Sequence, residues 1–321
     1  MIFFFIVLLQ LQFLSSNASN GDRSPFFQRC VEKCKMEDCS SDGQSFKVNN
    51  KQTFINKLFM WSCSDECTYQ CMWKTVTEFE NRKWPIPQFY GKWPFIRILG
   101  LQEPASTLFS LLNLVAVILC YIKFKKVLKK DCPMYKEWTF FSYVSINTWI
   151  WSTIFHARDF PFTEKMDYIC SFSVVYCLCF CLTCRLFNDL PPILLYLIGF
   201  GYLLFFLNYT AYILISSIDY GFHVRLNFLI GIPTGLIWFC WCMYNSKRQP
   251  YVVKMAAFVT LASLAALLEV FDEPPMYYIF DFHSFFHLVS APLIPLLYGF
   301  IIDDCIFLSE VKDTEKKKKP V

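Results

Sequence analysis

Seven apolar stretches dominate the chain beyond its first hundred residues, at about 105–122, 138–155, 168–186, 191–215, 226–244, 252–271 and 284–302. A helix rises 1.5 Å per residue and needs roughly 20 residues to cross a hydrocarbon core of about 30 Å, so each stretch is long enough to span a bilayer. No repeat relates them, and Pro191-Pro192 and Pro274-Pro275 mark two of the breaks. Composition agrees: 55% of residues are hydrophobic, 19% aromatic and only 17% charged, too apolar for an ordinary soluble domain. No basic patch interleaved with aromatics points to nucleic acid. The expected fold is an all-α polytopic membrane protein with seven transmembrane helices and a small disulfide-rich N-terminal lumenal domain.

The opening residues, MIFFFIVLLQLQFLSSNASN, carry an apolar run from Ile2 to Leu14 followed by small polar residues. That length suits the h-region of a signal peptide, with Ser16 and Ala18 at −3 and −1 of the cleavage site. The polar segment behind it holds Cys30, Cys34, Cys39, Cys63, Cys67 and Cys71. An even set of six in a signal-led segment reads as a disulfide framework, for which fifteen pairings are possible. A zinc knuckle is the rival, disfavoured because the region holds no histidine. Four segments are therefore expected: a signal peptide at 1–18, a Cys-rich lumenal domain at 19–100, a seven-helix transmembrane domain at 101–302 and a basic cytosolic tail at 303–321.

Lysine and arginine set the orientation. With the N-terminal domain outside the cytosol, the cytosolic segments hold fifteen of these residues, six of them at 123–137, while the three opposite loops hold only Arg158, Lys165 and Arg225. This is a positive-inside bias that agrees with the signal peptide. The same topology brings Ser152 and His156, Asp167, and His283 and His287 to the lumenal face. His283 and His287, four apart, project from one side of a helix, as suits two ligands of one metal ion. With His156 as third ligand, three neutral imidazoles suit a Zn²⁺ site with an open position. Such an ion lowers the pKa of a water to about 7 and polarises a carbonyl. Asp167 is the expected proton acceptor or orienting carboxylate, with Asp159 its competitor, and Ser152 is placed to donate to an oxyanion. His223 has no partner at ligand spacing and is expected only to bond loops or water. A Ser152–His156–Asp167 triad is the competing chemistry, but it lacks a strand–turn–helix elbow and leaves His283 and His287 without a role.

The pattern of Ser152, His156, Asp167, His283 and His287 resembles the signature of the CREST superfamily of seven-helix membrane hydrolases. Within it, YGKWPFIRILGLQEPAS (90–106), NTWIWSTIFHARDFPFTEKMDY (147–168) and the six-cysteine domain resemble the post-GPI attachment to proteins factor 3 family. The resemblance implies removal of the sn-2 acyl chain from GPI anchors on proteins, a phospholipase A2-like step in the Golgi or endoplasmic reticulum. It implies zinc on His156, His283 and His287, with Asp167 and Ser152 in the catalytic shell. Lys318 and Lys319, at −4 and −3, resemble a dilysine retrieval signal read by coat protein; a solvated basic tail near anionic lipid is the plain alternative. Two other functions fit the pattern less fully: a seven-helix receptor or accessory protein with a structural zinc, and a ceramidase-like amidase.

The orientation is open to a direct check. In intact microsomes a tag after Val321 is expected to be digested by added protease, and a tag after residue 20 to be protected until the membrane is permeabilised.

Overall fold

A computed structural model describes residues 19–47, 52–188, 190–216 and 220–318, with side chains to residue 314. The expected signal segment 1–18, Lys319 and the side chain of Lys318 lie outside these. The described residues are helical, with isolated bridges and no strand among them. They form two compact units. One comprises residues up to Ala105 with His156–Arg158 and Asp272–Phe282; the other comprises Ser106–Phe155, Asp159–Phe271 and the chain from His283.

The first unit is built on α1 (Pro25–Asp38), the short α2 (Phe54–Leu58) and α3 (Cys63–Asn81). Pro25 at the first helical position and Ser24, which accepts from the Phe26 N–H, start α1. Ser62 and Asp65 start α3 with a reciprocal capping box. Cys30 and Cys34 are one turn apart on α1, as are Cys67 and Cys71 on α3. They pair in antiparallel order, Cys30–Cys71 and Cys34–Cys67, and Cys39–Cys63 closes the end of the ladder. These bonds answer the zinc-knuckle alternative. Ligand atoms of Cys39, Cys63 and Cys67 do cluster, but all three sulfurs are already committed to disulfides.

Behind the ladder, Trp61 lies buried between two guanidiniums, with Arg97 3.2 Å and Arg158 3.6 Å from its ring centroid. Each cation has a carboxylate: Arg97 bonds Glu66 at 2.5 Å and Arg158 bonds Asp65 at 2.8 Å. Burial lowers the Arg97 pKa, and Glu66 opposes that shift. The Trp61 indole N–H donates to the Gly100 carbonyl. Gly100 has φ +83°, and a Cβ there would stand 2.5 Å from Ile55, so the turn requires glycine.

The second unit contains seven long helices: α4 (Pro104–Val127), α5 (Tyr135–Ala157), α6 (Pro161–Leu186), α7 (Pro192–Ile215), α8 (Tyr220–Asn245), α9 (Val253–Ala266, flanked by 3₁₀ turns Pro250–Val252 and Leu267–Val270) and α10 (Phe282–Lys318). Every expected apolar stretch falls on one of them, and the chain is a multi-pass membrane protein. The count of seven is not fully met. Among the described residues, six segments are long and apolar enough to cross a membrane on length and composition alone, and α5 is not one of them. Four of its polar residues turn inward: Ser142, Ser145, Thr148 and Ser152 are all buried. At 37 residues α10 is about 55 Å long, so the expected tail begins as a continuation of the helix.

Trp138, Trp238 and Phe300 meet at the centre of this unit, fully buried. Polar side chains find partners inside it. The Tyr298 hydroxyl donates to Ser142 at 2.7 Å, and Thr148 donates to the Cys170 carbonyl at 2.7 Å. Arg185 grips the fully buried Asp304 through two bonds of 2.8 and 3.0 Å, and the Tyr251 hydroxyl donates to the same carboxylate.

The disulfides close separations of 24 to 41 residues. Each constrains the unfolded chain by about 3–4 kcal/mol taken alone. Unreduced peptide mapping is expected to recover the three linked pairs. Replacing both Cys34 and Cys67 by serine is expected to lower stability by about 2–4 kcal/mol, measured as a loss of folded protein in a thermal series.

Candidate metal centre

His156 is the penultimate residue of α5, while His283 and His287 occupy the first turns of α10. One ring nitrogen from each of the three lies within 4.8 Å of the others. His156 and His287 are buried and His283 is partly buried. The Nε2 atoms of His283 and His287 stand 2.9 Å apart. Asn113 on α4 donates to the His287 carbonyl at 2.7 Å, fixing α10 at that level, and Trp149 of α5 packs edge-on against the His287 ring.

Two of the rings are held from behind. A carboxylate oxygen of Glu103 lies 2.6 Å from His156 Nδ1. The Glu269 oxygens lie 2.8 and 3.0 Å from His283 Nδ1. An ionised carboxylate only accepts, so the facing Nδ1 carries the proton and, in a neutral ring, Nε2 presents its lone pair. The donor set fits a zinc ion. Three imidazole nitrogens gathered within 4.8 Å are the ligand type such an ion takes. Sequence reasoning missed both glutamates. Glu103 lies inside the 90–106 motif, and Glu269 is a lone acid closing an apolar run, which is the signal that could have found them.

Ser152 lies one turn before His156 on α5, buried, with its Oγ 3.1 Å from the Ser110 Oγ on α4. Asp167 is buried in the second turn of α6. Three residues separate α5 from α6, so Ser152 and Asp167 belong to the same end of the helix pair. Arg158, a possible partner for Asp159, pairs with Asp65. His223 departs from expectation. Rather than meeting loops or water, it is buried on α8, with its Nδ1 2.8 Å from the Tyr209 hydroxyl and its ring stacked on Tyr168 at 4.7 Å. The cause is local: Tyr168, Ser171 and Tyr209 face it from α6 and α7 and form a polar pocket that the linear pattern does not reveal.

A model of the Per1-like family matches residues 53–305. Post-GPI attachment to proteins factor 3 of Drosophila melanogaster is 41% identical over 297 residues, covering 91% of both chains. Proteins named GPI-specific phospholipase A2-like PGAP3 are 38% identical in Danio rerio, over 91% of this chain and 92% of the relative, and 34% identical in Homo sapiens, over 98% and 97%. No solved structure matches.

Loss of the His223 ring would remove one of the two hydrogen-bond partners of the buried Tyr209 hydroxyl and leave a cavity beside Tyr168. His223→Ala is accordingly expected to cost about 1–3 kcal/mol of stability, seen as a lower unfolding midpoint in detergent.

Proposed function

This chain belongs to the Per1-like family, and on that membership and its three-histidine cluster we propose that it removes the sn-2 acyl chain from GPI anchors attached to proteins. The observation that carries the reading is the convergence of one nitrogen each from His156, His283 and His287 within 4.8 Å. The names of the relatives supply the substrate class: they refer to GPI and to phospholipase A2-like action.

In this reading His156, His283 and His287 hold Zn²⁺. The ion supplies Lewis acidity towards an ester carbonyl and a water acidified towards neutrality. The chain's own groups handle the protons. Asp167 accepts a proton from the attacking water as its oxygen bonds to the carbonyl carbon. When the acyl–oxygen bond breaks, that proton passes to the glycerol oxygen, leaving a free fatty acid and a lyso anchor. Ser152 donates a hydrogen bond to the oxyanion that develops between these steps. The end of the bundle bearing these residues faces the lumen, where the protein part of a GPI-anchored substrate resides; the fifteen-to-three charge bias supports that orientation. Residence is in the Golgi or endoplasmic reticulum membrane, with the Lys318-Lys319 tail as a contact for coat protein.

The experiment compares lipid composition and bound metal. GPI-anchored proteins from cells lacking this chain are expected to retain the sn-2 acyl chain that wild-type chain removes. His156→Ala, His283→Ala and His287→Ala are each expected to abolish remodelling and lower bound zinc. Asp167→Asn is expected to abolish remodelling while largely keeping metal, and Ser152→Ala to slow it by roughly 10²–10³-fold. Full activity in His283→Ala, or in metal-stripped protein, would return the serine triad to first place.

A further inference from the structure

Two carboxylates stand behind the histidine cluster, and neither belongs to the proposed ligand or proton-transfer set. Glu103 begins α4 at its edge, one residue before Pro104, and is buried. It meets His156 twice: a carboxylate oxygen lies 2.6 Å from Nδ1, and its backbone N–H donates to the His156 carbonyl at 3.0 Å. The next residue on each side extends the grip, since the Gln102 N–H donates to the Ala157 carbonyl at 3.0 Å. Arg158 then leads into Asp65 and the Trp61 ring, and thus into the disulfide-stapled unit. Glu269 sits in the 3₁₀ turn Leu267–Val270 that ends the α9 segment. Both of its oxygens face His283 Nδ1, and the Tyr220 hydroxyl donates to it at 3.2 Å.

A carboxylate placed in an apolar segment is costly unless it has a partner that uses its charge. Here two such acids choose the same nitrogen, Nδ1, on two of the three clustered rings. That choice fixes the tautomer and aims Nε2 away from the glutamate, which is what an imidazole needs in order to bind a cation.

We propose that Glu103 and Glu269 are positioning residues for metal binding, each holding the Nδ1–H of one histidine so that Nε2 is presented as a ligand. The proposal rests on the zinc reading above. It adds that two of the three proposed ligands each have a carboxylate behind them, Glu103 behind His156 and Glu269 behind His283.

The test uses full-length protein in detergent, with zinc affinity measured by competition against a chromophoric chelator and ligand geometry by the visible absorption of a Co²⁺-substituted sample. Glu103→Ala and Glu269→Ala are each expected to weaken zinc by about 10–100-fold and to alter the Co²⁺ bands. Glu103→Gln and Glu269→Gln, whose amide oxygen still accepts from Nδ1 without the charge, should fall between alanine and wild type. Unfolding midpoints of chelator-treated samples show whether each variant folds; if an alanine variant does not, its glutamine counterpart carries the test. Wild-type zinc affinity in a folded variant at either position overturns the assignment of that glutamate. Absence of zinc binding by the wild-type chain is a different result, and it would overturn the metal reading itself.

Discussion

Inside a bilayer no water is at hand to take up a stranded donor or acceptor, and this single restriction organises the seven-helix unit. It forces the backbone into helices and then governs every polar side chain within them. Tyr298 meets Ser142, Thr148 meets a carbonyl of the neighbouring helix, and Arg185 meets Asp304 with Tyr251 alongside. It also explains α5. A segment carrying several serines and threonines can stay at membrane depth because Ser142, Ser145, Thr148 and Ser152 point into the protein, leaving groups such as Phe140, Tyr143 and Ile150 exposed. The histidine cluster is a special case of the same rule. Imidazoles and carboxylates gathered at one end of such a bundle are tolerated because they satisfy one another.

Much of this architecture was legible from the amino acids. Stretches of apolar residues long enough to cross a membrane located all seven long helices, because length and hydropathy are one-dimensional properties. The i, i+4 spacing of His283 and His287 gave their common face for the same reason. His156 joined them through topology inferred from charge. The pairing of the six cysteines was not legible, since it depends on α1 and α3 running antiparallel; once they do, the one-turn spacings of Cys30 with Cys34 and Cys67 with Cys71 make a ladder natural.

What escaped the sequence shares one character. Glu103 and Glu269 are distant in sequence from the rings they touch, by 53 and 14 residues, and nothing in a linear pattern says which acid will face which nitrogen. His223 was misjudged similarly. Isolated in sequence, it is enclosed in space by Tyr168, Ser171, Tyr209 and Asn227. The polarity of α5 was visible throughout, but only packing reveals that it is an inner face.

The attachment of α10 has a mechanical consequence. Asn113 holds it at His287, and Arg185 holds it again at Asp304, about 25 Å further along the axis. Two contacts at different heights, one of them a buried ion pair, oppose both sliding and rotation of α10. Membranes differ in thickness by several ångströms, and a spanning helix ordinarily adapts by tilting. Here the adjustment falls to helices with few internal contacts, above all α7, of whose apolar window only 6% is buried. The histidine-bearing helix thus keeps its register while its surroundings accommodate the lipid, so the spacing of His283 and His287 relative to α4 is insulated from the thickness of the membrane in which the protein resides.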